Sequence, residues 1–283
     1  MKTVAVVVPG YDRSEFTADE EISFRHLDAY LGPYDKYLVV PRSLSIQRAG
    51  FALKRFPDSF FGSAIANARL MLSRTFYEAF ADYRYILIYQ LDALVFSDQL
   101  LDWCAKDFDY VGAPWVNCED SPWVSRPRVG NGGLSLRKVE SFLKVLSSDR
   151  YWIDPEAYWQ SLAAGQPWLR RFFLYLPKKW LKRLSRFNGV TWELRQWHLR
   201  PDGTRNEDHF WADHAVRYSP EFKVASFEEG LKFAFEVAPR QCFELNGRRL
   251  PFGCHAWPRY DRAFWEPYLL EPAGVSQAAK EPT

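Results

Sequence analysis

At 283 residues, with 47% apolar, 17% aromatic and 25% charged side chains, the chain has enough apolar material to bury an ample core and is not disordered. A net charge of +2 excludes nothing until it is mapped, and no stretch approaches the ~18 uninterrupted apolar residues of a membrane-spanning helix. Cys104, Cys118, Cys242 and Cys254 show no CxxC spacing, which argues against a zinc cluster and for reduced thiols in a cytoplasmic protein.

The opening "MKTVAVVVPGYDR" has too short an apolar run for a secretion signal. Instead "TVAVVV" (3–8) predicts a buried strand that ends at Pro9-Gly10. An amphipathic helix is expected over 19–31, a second strand over 36–40, and one long helix over 62–80. Strands follow over 83–90 and 108–114, and the residues after Gly133 read as a helix. Alternation of strand and helix predicts an α/β fold with a mostly parallel central sheet flanked by helices. Ligands of such sheets bind at the carboxyl ends of strands, here Pro9–Arg13, Gln90–Asp92 and Ala113–Trp115. No GxGxxG follows the first strand and no GxxxxGK[ST] occurs, which disfavours a Rossmann dehydrogenase and a P-loop NTPase. Residues 271–283 read as a flexible tail.

Residues 165–202 read as a basic helical insertion. Within 168–200, nine Lys and Arg face one acid, Glu193, so this stretch carries +8 and the rest of the chain −6. Leu176, Trp180, Leu181, Leu184 and Phe187 recur near helical spacing, with Lys178, Lys179, Lys182, Arg183 and Arg186 largely between them. That pattern suits a helix in a membrane interface. It equally suits a helix packed on the protein's own core, or a surface that grips an acidic acceptor or partner. No nucleic-acid module surrounds it, and no nucleic acid is expected as a partner.

Three constellations carry chemistry. Asp92 lies just beyond the apolar run "ILIYQL", where a carboxylate needs a cation or a backbone turn as partner. In "RNEDHFW" (205–211), Asn206 can cap a helix whose first turn holds Glu207 and Asp208, or one of these acids can serve as a general base. His255 sits in the apolar "LPFGCHAW" (250–257) and, beside Asp92, would suit Mn²⁺ or a similar ion. The glycines of "RVGNGGLSLRKV" (128–139) allow either a turn or a close approach of a ligand to the backbone.

The ordered segments "ARLMLSRTFYEAFADYRYILIYQLDALVF", "DYVGAPW", "VGNGGLSLRKV", "NEDHFW", "KFAFE" and "LPFGCHAW" resemble a bacterial family known as domain of unknown function 5672, with gaps, from about residue 3 to about residue 268. The resemblance implies a single glycosyltransferase-like domain of GT-A fold over 1–270. It implies a nucleotide-sugar donor, foremost a UDP-sugar, and a glycan or lipid-linked acceptor in bacterial surface-polysaccharide assembly. Asp92 and His255 would hold Mn²⁺ or Mg²⁺. Asp208, paired with Glu207, would deprotonate the acceptor in an inverting reaction. Gln90, Asn131, Gly132 and Gly133 would border the donor, with the glycines clearing room for the sugar. Tyr11, Arg13, Arg69 and Arg137 complete the expected donor contacts, although Arg137 equally suits a solvated helix face. The acidic motif departs from Asp-x-Asp, because it reads Gln90-Leu91-Asp92. A metal-dependent hydrolase or phosphodiesterase on the same side chains and a non-catalytic glycan-binding protein are the alternatives, and a peripheral position at the inner face of the cytoplasmic membrane is the expected location if the insertion binds lipid.

Overall fold

The structure, a computed structural model, describes residues 1–10, 13–197, 199 and 206–272. Tyr11, residues 200–202 of the insertion and 273–283 of the tail lie outside the described residues. The chain begins with β1 (Lys2–Pro9), whose Val4–Val8 run is covered on both faces, as a central parallel strand requires. It continues through α1 (Ala18–Leu31), β2 (Asp35–Pro41), β3 (Phe51–Phe56), α2 (Ala64–Met71), α3 (Arg74–Glu78) and β4 (Tyr83–Tyr89). Then come the short β5 (Leu94–Val95), α4 (Leu100–Ala105), β6 (Tyr110–Gly112), β7 (Pro114–Trp115), β8 (Arg128–Val129), β9 (Leu134–Lys138) and α5 (Val139–Leu146). Helical turns fill most of 155–218, and β10 (Ala234–Phe235) and β11 (Gly253–Cys254) follow near the end.

The main sheet has the order β3-β2-β1-β4-β9-β6. All neighbours in it are parallel except at β9, which runs antiparallel to both β4 and β6. The expected α/β architecture with a mostly parallel sheet is therefore present. Two local expectations fail. The helix predicted over 62–80 is two helices, because Ser73 breaks it: its Oγ donates to the Leu70 carbonyl at 2.7 Å and accepts from Phe76 N at 3.2 Å, capping α3. The helix predicted directly after Gly133 is the strand β9, and helix α5 starts only at Val139. "LSLRK" alternates apolar and polar as a strand does, but both faces of β9 are covered, so the polar Ser135 and Arg137 are buried as well.

Arg137 lies on β9 opposite Ile86 and Tyr110, and it is fully buried rather than solvated. Its guanidinium donates to Glu207 Oε1 at 2.8 Å, to the Tyr77 hydroxyl at 3.0 Å, to the Gly132 carbonyl at 3.2 Å and, through Nε, to Ser135 Oγ at 2.9 Å. Four of its five N–H groups bond within the protein, and the guanidinium has no exposed surface to offer a donor diphosphate. The pair with Glu207 ties the sheet to the helical run that starts at Glu207.

Arg137→Met leaves the Glu207 carboxylate buried without its partner. We expect a loss of ~3–5 kcal/mol, the usual effect of breaking a buried ion pair from one side. It should appear as a lower urea midpoint with an unchanged slope. A wild-type midpoint would show that the pair does not hold β9 to this helix.

Candidate active site

A cleft of about 690 Å³ opens at the carboxyl ends of β1 and β4. Pro9 and Gly10, Gln90 and Asp92, Asn131–Gly133, Glu207–His209, Glu236 and His255 all line it. Three very short strands assemble one wall. β10 pairs parallel with β11, so the residues that follow them, Glu236 and His255, leave side by side. β11 pairs antiparallel with β5, which brings His255 back to the turn that holds Asp92. The Trp257 amide donates to the Asp92 carbonyl at 3.1 Å and closes this arrangement.

His255 is held at both nitrogens. Nδ1 lies 2.9 Å from Glu236 Oε1, while Nε2 lies 3.0 Å from Gln90 Oε1 and 3.2 Å from Asp92 Oδ1. Burial opposes a charge on this ring, but the two carboxylates outweigh it and push the imidazole pKa up to about 10. Burial likewise works to raise Asp92, yet the His255 charge keeps its carboxyl below the ordinary range. The Nε2 hydrogen bond goes to Gln90, so Asp92 Oδ1 is buried without one. Once His255 Nε2 gives up its proton, it forms with this oxygen and the Gln90 amide oxygen a donor set that suits a hard divalent cation. Glu236 on Nδ1 supplies the outer contact that orients a histidine ligand. The set is incomplete by itself: among the described residues no group of three or more His, Cys, Asp and Glu can hold a metal ion.

The two glycines have a different local role from the one expected. A Cβ on Gly133 would stand 2.0 Å from His255 Nε2, and a Cβ on Gly132 would stand 2.5 Å from Glu207 Oε1 and 3.3 Å from Asp208 Cβ. The space they leave is filled by the protein's own side chains rather than reserved for a sugar. Asn131 sets their position: its Oδ1 accepts from Gly133 N at 2.9 Å and its Nδ2 donates to Glu236 Oε1 at 2.7 Å. The glycines thus let the Asp208 turn approach on one side and His255 on the other.

Asp208 sits in the first turn of the helix that begins at Glu207, with Asn206 at the cap position but making no side-chain cap bond. The carboxyl is partly exposed at the cleft wall, and among the described residues its Oδ1 accepts from the His209 amide alone, at 2.8 Å. Burial, then the adjacent Glu207, and Glu236 beyond it raise its pKa to about 7, against a smaller opposing influence of His209. A carboxyl poised there is suited to take a proton at neutral pH. Glu207, by contrast, spends one oxygen on Arg137, and its Oε2 has no hydrogen-bond partner. Next to them His209 stacks on Trp115 at 4.3 Å between ring centroids, with Trp123 at 5.1 Å, and all three line the cleft. Such a platform suits a sugar ring or a base.

The remaining expected donor contacts are not gathered here. Arg13 donates to Glu20 Oε1 at 2.6 Å, beside the α1 capping box, and does not line the cleft. Arg69 is exposed on α2 and borders a separate depression with Arg74 and Arg195. Glu236, Trp123 and Arg259 are among the lining residues for which no role was expected from the sequence. Glu236 carried a usable signal, since it ends the apolar "KFAF" as Asp92 ends its own strand. Arg259 is the one Lys or Arg among the described residues that line the cleft.

Two outcomes follow from this geometry. Gly133→Ala should cost ~1–3 kcal/mol by overpacking against the His255 ring, read as a lower melting temperature; a variant that melts with wild type would mean the ring steps aside freely. Asp208 holds its proton to higher pH when folded than its ordinary carboxylate value near 4. The folded state therefore binds more protons between about pH 4 and pH 7, and stability falls as pH rises through that window. Asp208→Asn should flatten that fall in a melting-temperature profile, and an unchanged slope would assign it to another group.

A solved structure described as a glycosyltransferase involved in glycosylation of the major capsid of PBCV-1 aligns with 94% of this chain and 98% of its own at 12% identity, with a TM-score of 0.43. The bifunctional IspDF from Campylobacter jejuni aligns with 52% of this chain and 43% of its own at 7% identity and a TM-score of 0.32. The 4-diphosphocytidyl-2C-methyl-D-erythritol synthase from Anaerococcus prevotii DSM 20548 aligns with 60% and 81% at 8% identity and a TM-score of 0.32. At these TM-scores the likenesses carry no argument about activity. No curated protein matches the chain. The family described as protein of unknown function DUF5672 matches residues 50–255, so this chain belongs to that family.

Proposed function

We propose that the protein is a glycosyltransferase that moves a sugar from a nucleotide-diphosphate sugar, foremost a UDP-sugar, to a hydroxyl of a glycan or lipid-linked acceptor. The observation that carries this reading is the pair of neighbouring stations in one cleft. Asp208, with a pKa near 7, lies against Gly132, and the Asp92–His255 wall lies against Gly133. Asp208 accepts the proton of the acceptor hydroxyl as that oxygen attacks the anomeric carbon. The bond between that carbon and the diphosphate oxygen breaks, and the nucleotide diphosphate leaves with the bonding electron pair. Attack from the face opposite the leaving group inverts the anomeric centre. Arg259 at the cleft offers charge to the diphosphate, and the exposed ring of Trp123 offers a stacking face.

Asp92, His255 and the Gln90 amide are the residues that would hold Mn²⁺ or Mg²⁺. The ion would neutralise charge on the departing diphosphate.

A thermal-shift series with UDP-, GDP-, CMP- and dTDP-sugars, with and without Mn²⁺, should show one nucleotide class raising the melting temperature, more so with the ion. Asp92→Ala should lose the ion-dependent part. Asp208→Asn should still bind donor but lose roughly 10²–10⁴-fold in transfer rate, the usual range for a general base. Nucleotide release that is equally fast without acceptor would point to a hydrolase instead. Sugar binding indifferent to Asp208→Asn, with no turnover, would point to a glycan-binding protein.

A further inference from the structure

We infer that the outer side of the insertion, residues 165–199, is a docking surface for an anionic lipid bilayer. The inference is independent of the reaction in the cleft. The insertion is rooted in the body by its last helix, Val190–Trp197, whose Val190, Glu193 and Trp197 are buried. Its first part is a helical run made of Trp168–Arg170, a π turn over Arg171–Tyr175 and Leu176–Lys182, and none of these three elements buries a residue. The run packs against the helix Pro155–Ala163, where Lys179 pairs with Glu156 at 2.5 Å. Lys182 turns inward too, its ammonium lying 5.7 Å, 5.8 Å and 6.0 Å from the ring centres of Trp152, Tyr158 and Trp192.

What faces out is apolar and basic at once. Trp168 and Phe173 are each 71% exposed, and Phe172 and Trp180 each 59%. Leu169, Leu174, Leu181, Leu184 and Phe187 are exposed as well. Trp168, Leu169, Phe172 and Phe173 fall one helical turn apart, which puts them on one side of the run. Arg170, Lys178, Arg183 and Arg186 are exposed among them. The apolar side chains are therefore not consumed by the protein's own core, which was one of the sequence-based alternatives.

Charge selects the occupant. A second copy of this chain would set a +8 segment against another +8 segment. An acidic protein or glycan would satisfy the cations but would leave this many large apolar side chains in water. The headgroup region of an anionic leaflet takes both, with Trp, Phe and Leu entering the acyl boundary while Lys and Arg meet lipid phosphates. Among the described residues no helix is long and apolar enough to cross a membrane, so the contact is peripheral.

The test is co-sedimentation of the full chain with vesicles of phosphatidylcholine and phosphatidylglycerol in equal parts, beside vesicles of phosphatidylcholine alone. Wild type should pellet with the anionic vesicles at low salt, be released by high salt, and ignore the neutral ones. Arg170→Glu/Lys178→Glu/Arg183→Glu/Arg186→Glu should weaken partitioning by roughly 10²-fold or more. Trp168→Ser/Phe172→Ser/Phe173→Ser/Trp180→Ser should abolish stable attachment even at low salt. All these positions are exposed, so both variants should keep the wild-type melting temperature and the comparison stays interpretable. Wild type that remains in the supernatant with anionic vesicles at low salt overturns the inference. So does binding that the charge variant leaves unchanged. Lipid-free self-association that the aromatic variant removes, without vesicle binding, would assign the face to a second copy and overturn it equally.

Discussion

The cleft depends on the buried pair between Arg137 and Glu207. A guanidinium with no exposed surface must have its donors satisfied inside the protein. Tyr77, Ser135, the Gly132 carbonyl and Glu207 divide them. The same cation therefore fixes the backbone of the glycine turn and the first residue of the helix that presents Asp208. Glu207, held there as the partner of Arg137, sits beside Asp208 and helps to raise its pKa, second to burial. One structural pair thus sets both where the candidate base stands and how readily it gives up its proton.

The opposite wall shows how little regular structure a site requires. The strands that deliver Asp92, Glu236 and His255 are two residues long, too short to be stable alone. They are supported by a small second core that includes Leu94, Phe235, Cys254, Trp257 and Trp265. Beside it His255 links two acids and an amide from two separate parts of the chain, the Gln90–Asp92 turn and Glu236. Gln90 in the place of a first acid fits this wall, because an amide oxygen accepts from the ring without adding a third negative charge.

Charge is segregated along the sequence as well as in space. A chain with a net charge of only +2 places +8 in residues 168–200 and −6 elsewhere. Asp92, Asp120, Glu207, Asp208 and Glu236 line the cleft against Arg259, the one Lys or Arg among its described lining residues, while the insertion exposes cations among aromatic side chains. The cleft and the exposed face of the insertion therefore present opposite electrostatics to their surroundings.

Several features were legible in the residues alone. The Val-rich first strand, the α/β alternation and the rule that ligands meet strand ends located Asp92, and the ordered segments placed Asp208, His255 and the glycines in one family pattern. Pattern fails where burial removes it. "LSLRK" alternates like a half-exposed strand, yet β9 buries its polar Ser135 and Arg137 too, and the break at Ser73 is a side-chain hydrogen bond that apolar spacing does not record. Arginine identity is equally silent about direction: Arg13 turns to Glu20, Arg69 lies outside the cleft, and Arg137 enters the core. Sequence by itself determined which local segments could be strand, helix or site, because those depend on composition and near-neighbour spacing. Only the tertiary structure decided that Gly133 makes room for His255, that Glu236 completes its wall, and that Arg137 is a buried strut. Those outcomes depend on contacts between residues dozens to more than a hundred positions apart, set by strand pairing and by the need to satisfy every buried charge.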